Sequence, residues 1–145
     1  MRVYFAAPLF SEAELEFNQR LTAELEDEGH EVFLPQRDGI EIEELYDRED
    51  VDGVSDVMQE IYEIDRQAIY QADLLTALLD GQVPDEGVAV EMGIASENDT
   101  PIIALKTDRR VFSEDEPINA MLWGAMDEYV ESREALVEAV NRRAE

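Results

Sequence analysis

Within the stretch VAVEMGIA, residues 88–95, an acid interrupts an otherwise apolar run. A helix packed on a sheet normally carries an apolar residue or alanine at such a position, so Glu91 asks for a chemical reason. Asp85 precedes it by six residues, on the loop side of the same turn, and Asp65 lies on the helix before. A carboxylate nucleophile beside a second carboxyl that can carry a proton is the arrangement that breaks bonds at an anomeric carbon through an oxocarbenium-like transition state. The chain holds 37 acids in 145 residues, so chance pairing competes with this reading, and Asp65 taken alone is also an ordinary solvated helix residue.

These acids need a frame. RVYFAA (2–7) reads as a strand ending at Pro8, and Ser11 as the N-cap of a helix carrying Leu15, Phe17, Leu21 and Leu25 and stopping at Gly29. HEVFLP (30–35) reads as a second strand, and residues 36–56 as a polar, acid-rich loop with one short helical turn. From Val57 to Tyr70 a helix places Met58, Ile61, Ile64, Ala68 and Ile69 on one face. DLLTALLD (73–80) is apolar on both faces, as strands of a covered parallel sheet are. A helix from Gly87, the strand PIIALKT, the short helix PINAMLWGAM, an edge strand EYV and a closing helix complete the alternation. The expected fold is a three-layer α/β/α sandwich on a five-stranded parallel sheet of flavodoxin-like order 2-1-3-4-5, as a single domain over residues 1–145.

In such sheets ligands bind beyond the carboxyl ends of the strands, near the switch point between strands 1 and 3. AAPLF leaves strand 1, LLDGQVPDEG leaves strand 3 and PINAMLWG follows strand 4, so all three are expected at one crevice with Glu91 pointing in. The field of a helix N-terminus would favour an ionised Glu91.

Net charge is −26, and among 11 basic residues only Lys106 is a lysine. That balance reads as a halophile's surface, with an acidic disordered segment and a cation-binding surface as alternatives. It disfavours nucleic acid, whose phosphates are met by Lys and Arg. Cysteine is absent, as are a basic-plus-apolar leader and any apolar run near the ~20 residues of a membrane span, so a cytoplasmic protein with no membrane association is expected. His or Cys metal spacing and the glycine-rich phosphate and dinucleotide loops are missing, and neither metal nor cofactor is expected. His30 is assigned no role, and Asp73 and Asp80 read as strand-end caps.

VYFAAPLF, ADLLTALLDGQVPDEGVAVEMGIA and PINAMLWG, in that order, resemble three motifs of the nucleoside 2-deoxyribosyltransferase family across roughly residues 2–126. The resemblance implies that Glu91 forms a 2-deoxyribosyl ester, that Tyr4 holds its carboxylate, and that Asp85 handles the proton of the nucleobase. It places Asp65 at base or sugar binding, and Asn119 with Met121 at the sugar hydroxyls, in several members from a neighbouring subunit. A homo-oligomer, dimer or higher, acting on a nucleoside and a nucleobase is implied. Ala7, before Pro8, stands where many members carry glycine, and Gly87 is the motif's turn glycine. The expected activity is base exchange with hydrolysis as a side reaction. The alternatives are a deoxynucleoside 5′-monophosphate N-glycosidase, for which AAPLF lacks a basic residue, and a non-catalytic nucleoside-binding module. Tyr4, Met121, Trp123, Gly87 and Gly93 each also have an ordinary packing or turn explanation.

Overall fold

A computed structural model describes residues 1–145. Five strands, β1 (Arg2–Ala6), β2 (Glu31–Phe33), β3 (Leu74–Leu78), β4 (Ile102–Leu105) and β5 (Glu128–Val130), pair all-parallel in the order β2-β1-β3-β4-β5. Helices α1 (Glu12–Asp27) and α7 (Arg133–Ala144) cover one face, while α4 (Val54–Gln71) and α5 (Glu86–Glu97) cover the other. Two short helices, α2 (Pro35–Asp38) and α3 (Ile42–Tyr46), fill the connection before α4, and α6 (Ala120–Ala125) precedes β5. The expected three-layer α/β/α architecture and strand order are both present.

Strand alternation divides the core. Val3, Phe5, Leu74, Leu78, Ile103 and Leu105 meet Leu21 and Leu25 of α1 and Leu136, Ala139 and Val140 of α7. The intervening residues Tyr4, Ala6, Leu75, Ala77, Ile102 and Ala104 meet Ile69 of α4 and Val88, Met92 and Ala95 of α5. Tyr4 therefore faces the same layer as Glu91. Order 2-1-3-4-5 also brings the carboxyl ends of β1, β3 and β4 side by side, so the segments leaving them share one edge of the sheet.

Two expectations are corrected. Met58 is 49% exposed, and the fully buried Val57 takes its place in the row that includes Ile61, Ile64 and Ala68, because α4 is turned so that this row meets the sheet. Residues 36–56 hold two short helices, and Leu45 is fully buried. No helix is long and apolar enough to cross a membrane.

Candidate functional site

On α5, Glu91 comes three residues after Val88 and four before Ala95, both buried, so a helix of 3.6 residues per turn turns its side chain toward the sheet. Tyr4, at the middle of β1, donates its hydroxyl to Glu91 Oε1 at 2.6 Å. The Tyr4 ring is fully buried and stacked on Phe33 at 5.4 Å between centroids, which fixes the direction of that hydroxyl. Asp65 belongs to the inward row of α4, and it and Asp85 both act electrostatically on Glu91. Tyr4, Glu91, Asp65 and Asp85 are thus brought close together.

The expectation of an ionised Glu91 is overturned. Glu91 is the sixth residue of α5, beyond the first turn in which a helix dipole acts, and the Gly87 and Val88 N–H groups of that turn are taken by Asp85. Burial pushes the Glu91 carboxyl up to about 8; the Tyr4 hydrogen bond lowers it, while Asp65 and Asp85 raise it further. Burial likewise lifts Asp65 to about 6. The Tyr4 hydroxyl is driven far above the ordinary tyrosine range, first by burial and then by Glu91, so it keeps its proton and acts as a donor. Burial thus makes Glu91 hold its proton above the ordinary carboxylate range. A developing positive charge beside it would stabilise its ionised form.

This has a measurable sign. Between the ordinary glutamate value of 4.5 and about 8 the folded protein keeps a proton that the unfolded chain has released. Stability contributed by this group falls as pH rises through that window and is level above it. A carbon-13 carboxyl titration should show one glutamate with a midpoint near 8, moved higher by Tyr4→Phe because the lowering hydrogen bond is lost. Glutamates that all titrate in the ordinary range would contradict the burial account.

Asp85 is the N-cap of α5: its Oδ2 accepts the Gly87 and Val88 N–H groups at 2.9 and 3.1 Å. Its Oδ1 has no protein partner and remains available. A Cβ on Gly87 would come within 2.9 Å of Asp85 Oδ2, so glycine makes room for that cap. Ala7 and Pro8 are buried where the chain leaves β1, and the Pro8 carbonyl accepts the Asn18 amide at 2.9 Å. Asn119 caps α6 by accepting the Met121 N–H at 2.9 Å, and no hydrogen bond links it to Tyr4, Glu91, Asp65 or Asp85. Met121 is 81% exposed, and Trp123, partly exposed, packs against Tyr129.

Sequence reading missed the cleft beside Asp65. It measures about 480 Å³ and is lined by Leu9, Leu15, Gln36, Ile40, Ile42, Ile61 and Ile64 together with Asp65. The signal available was the spacing of Ile40 and Ile42 inside a segment read as polar. Apolar walls with one amide and three acids, Glu41, Glu43 and Asp65, suit a flat heteroaromatic ring whose polar edges carry N–H donors. A larger groove, about 680 Å³, follows β2 beneath α4 and contains none of the predicted residues. As read from sequence, Asp73 and Asp80 cap strand ends: Asp73 accepts the Arg2 N–H and Asp80 the Thr107 N–H. His30 bonds to Asn141, away from the crevice.

The family model described as nucleoside 2-deoxyribosyltransferase matches residues 3–131. Among solved structures, a conserved protein from Enterococcus faecalis V583 is similar with a TM-score of 0.80 and 29% identity, covering 98% of each chain. A 2-deoxyribosyltransferase from Bacillus psychrosaccharolyticus is similar with a TM-score of 0.75 and 22% identity, covering 94% of this chain and 90% of that one. A CMP N-glycosidase from Clostridium botulinum gives 0.60 and 20%, covering 97% and 99%. No curated protein matches the sequence significantly.

Proposed function

The chain belongs to the nucleoside 2-deoxyribosyltransferase family, and from that premise we propose that it moves a 2-deoxyribosyl group between nucleobases through an ester on Glu91. The observation that carries the proposal is the 2.6 Å hydrogen bond from a buried tyrosine to a carboxyl enclosed by two further acids. Three carboxyl groups around one point make a poor site for an anion. They make a good one for a transition state whose positive charge grows at the anomeric carbon.

In the first step Glu91 gives up its proton to Asp85 or to water as the nucleoside binds, and its carboxylate oxygen attacks C1′ while the C1′–N bond breaks and the bonding pair leaves with the base. The base nitrogen takes a proton from Asp85 through its free Oδ1, or from water. In the second step an acceptor base attacks C1′, Glu91 leaves, and the acceptor's proton passes to Asp85. Two inversions give retention. Tyr4 orients Glu91 and stabilises the carboxylate that is regenerated. The base would lie in the cleft beside Asp65, against Ile61 and Leu9. Water in place of the acceptor gives hydrolysis.

Met121 and Phe10, 81% and 78% exposed, leave apolar surface near the segments that follow β4 and β1. This supports a homo-oligomer in which a second copy covers that surface and supplies Asn119 to its neighbour's sugar. Size measurements in molar KCl should find a dimer or larger; a fully active monomer would place Asn119 in its own chain's site.

The activity is tested by incubating deoxyadenosine or its 5′-monophosphate with and without a free acceptor base. The expected result is multiple-turnover exchange from the nucleoside that exceeds hydrolysis. The segment Ala6–Phe10 carries no basic side chain for a phosphate. Preference for the monophosphate, with water as the only acceptor, would replace this reading by an N-glycosidase. Binding without turnover would leave a nucleoside-binding module.

A further inference from the structure

The single lysine is not on the surface. Lys106, just beyond β4, is 5% exposed, and its ammonium donates to the Leu79 carbonyl at 3.1 Å, the Gly81 carbonyl at 2.8 Å and Asp108 Oδ1 at 2.6 Å. Asp108 returns across the gap by accepting the Gly81 N–H at 2.8 Å, and on its outer side it accepts Arg110 Nε at 2.5 Å. Asp80 reaches the opposite way: it accepts the Thr107 N–H at 2.6 Å, the Thr107 hydroxyl at 2.5 Å and the Asp108 N–H at 3.2 Å. The segments leaving β3 and β4 are thereby joined reciprocally by side chains.

Backbone does not do this job. Residues 80–84 form no backbone-to-backbone hydrogen bond, and Gly81 adopts φ +114, where a side chain would be strained and would press on the Val83 carbonyl. Ten of the eleven basic residues are arginine. Three oxygens converging on one point call for a compact ammonium, which a planar guanidinium cannot imitate. The segment held at Leu79 and Gly81 ends at Asp85, whose own anchor is the first turn of α5.

Resting on the reading of Asp85 as the group that handles the base's proton, the geometry points to Lys106 as a positioning residue that sets where Asp85 stands. Removing the ammonium leaves two carbonyls and a carboxylate facing one another, the segment moves away, and Asp85 loses its place relative to the leaving base. Glu91 and Tyr4, held by α5 and β1, stay where they are.

The test uses the full chain in molar KCl with Lys106→Met and Lys106→Arg, read in two ways. Hydrogen exchange of the Gly81, Gly87 and Val88 amides should accelerate in both variants, while α7 keeps its protection. Base exchange from deoxyadenosine should fall by about 10- to 100-fold, the cost of a misplaced group. The pre-steady-state burst of 7-methylguanine released from 7-methyl-2′-deoxyguanosine, a first half-reaction in which the base leaves neutral without a proton, should change little. Equal losses with both donors, or unchanged exchange at Gly87 and Val88, would overturn the assignment. Asp80→Ala, on the outer half of the same junction, should give the same pattern if Lys106→Met does not fold. A parent protein that turns over neither nucleoside would defeat the proposed function, while the hydrogen exchange would still judge the junction.

Discussion

Glu91→Gln is expected to lower kcat for base exchange by about 10⁴-fold or more, the scale on which loss of a nucleophile is felt. Glutamine keeps the size of the side chain and an oxygen for the Tyr4 hydroxyl at the position now 2.6 Å away, so binding should survive. What it loses is the carboxylate: the amide oxygen keeps its lone pairs but is too weak a nucleophile to form the ester. The same variant escapes the cost of ionising a buried acid. Its thermal midpoint should therefore exceed the parent's above pH 8, each kcal/mol recovered being worth about 2–4 °C for a chain of this size. A variant within tenfold of the parent would mean that neither the nucleophilicity nor the charge of Glu91 is required and that water or another group attacks C1′.

The second large effect concerns salt. We propose that the protein requires it, because a net charge of −26 on 145 residues is self-repelling. Arginine pairs such as Arg2 with Glu31 and Arg48 with Asp50 are exposed, and exposed pairs contribute only about 0–1 kcal/mol each. Lowering ionic strength from molar to ~0.01 M lengthens the screening distance from ~3 to ~30 Å, so carboxylates that ignored one another begin to interact. Folding stability is only about 5–15 kcal/mol, and the accumulated repulsion is large enough to consume it. Activity and far-ultraviolet helix signal should both fall on desalting and persist in molar KCl. An unfolding midpoint that stays level between dilute and molar KCl would refute the salt requirement and leave the chemistry of Glu91 untouched.

Long periodic segments were readable because their burial is written in their spacing. β3 is apolar on both faces since helices cover both, and α7 carries Arg142 and Arg143 in its last turn, where the sequence places a helix end. The Tyr4 and Glu91 pairing was implied by resemblance, and the 2.6 Å contact gives it a geometry. Residues 36–56 were not readable, because α2 and α3 are too short to carry a period and depend on Leu45 finding the core. The protonation of Glu91 was misjudged for a related reason. Its position in the helix suggested an N-terminal field, whereas its acidity is set by burial and by Asp65, which arrives from another helix. Met58 failed by a single step of rotation: two neighbouring apolar residues give a helix face that spacing alone cannot orient. Lys106 gave one signal, its solitude among arginines, and that signal has meaning only once three oxygens are seen around it.

The central claim is a covalent bond between C1′ and Glu91, and trapping tests it most directly. A 2′-fluoro-2′-deoxynucleoside destabilises the oxocarbenium-like transition state and slows both steps, so an ester that forms should accumulate. After incubation in molar KCl at pH 8 and digestion, mass spectrometry should find the fluorodeoxyribosyl group on the peptide containing VAVEMGIA, on Glu91, and nowhere in Glu91→Gln. A label on Asp85, Asp65 or any other residue, or an intact parent that turns over natural nucleosides yet never carries the label, would contradict the mechanism.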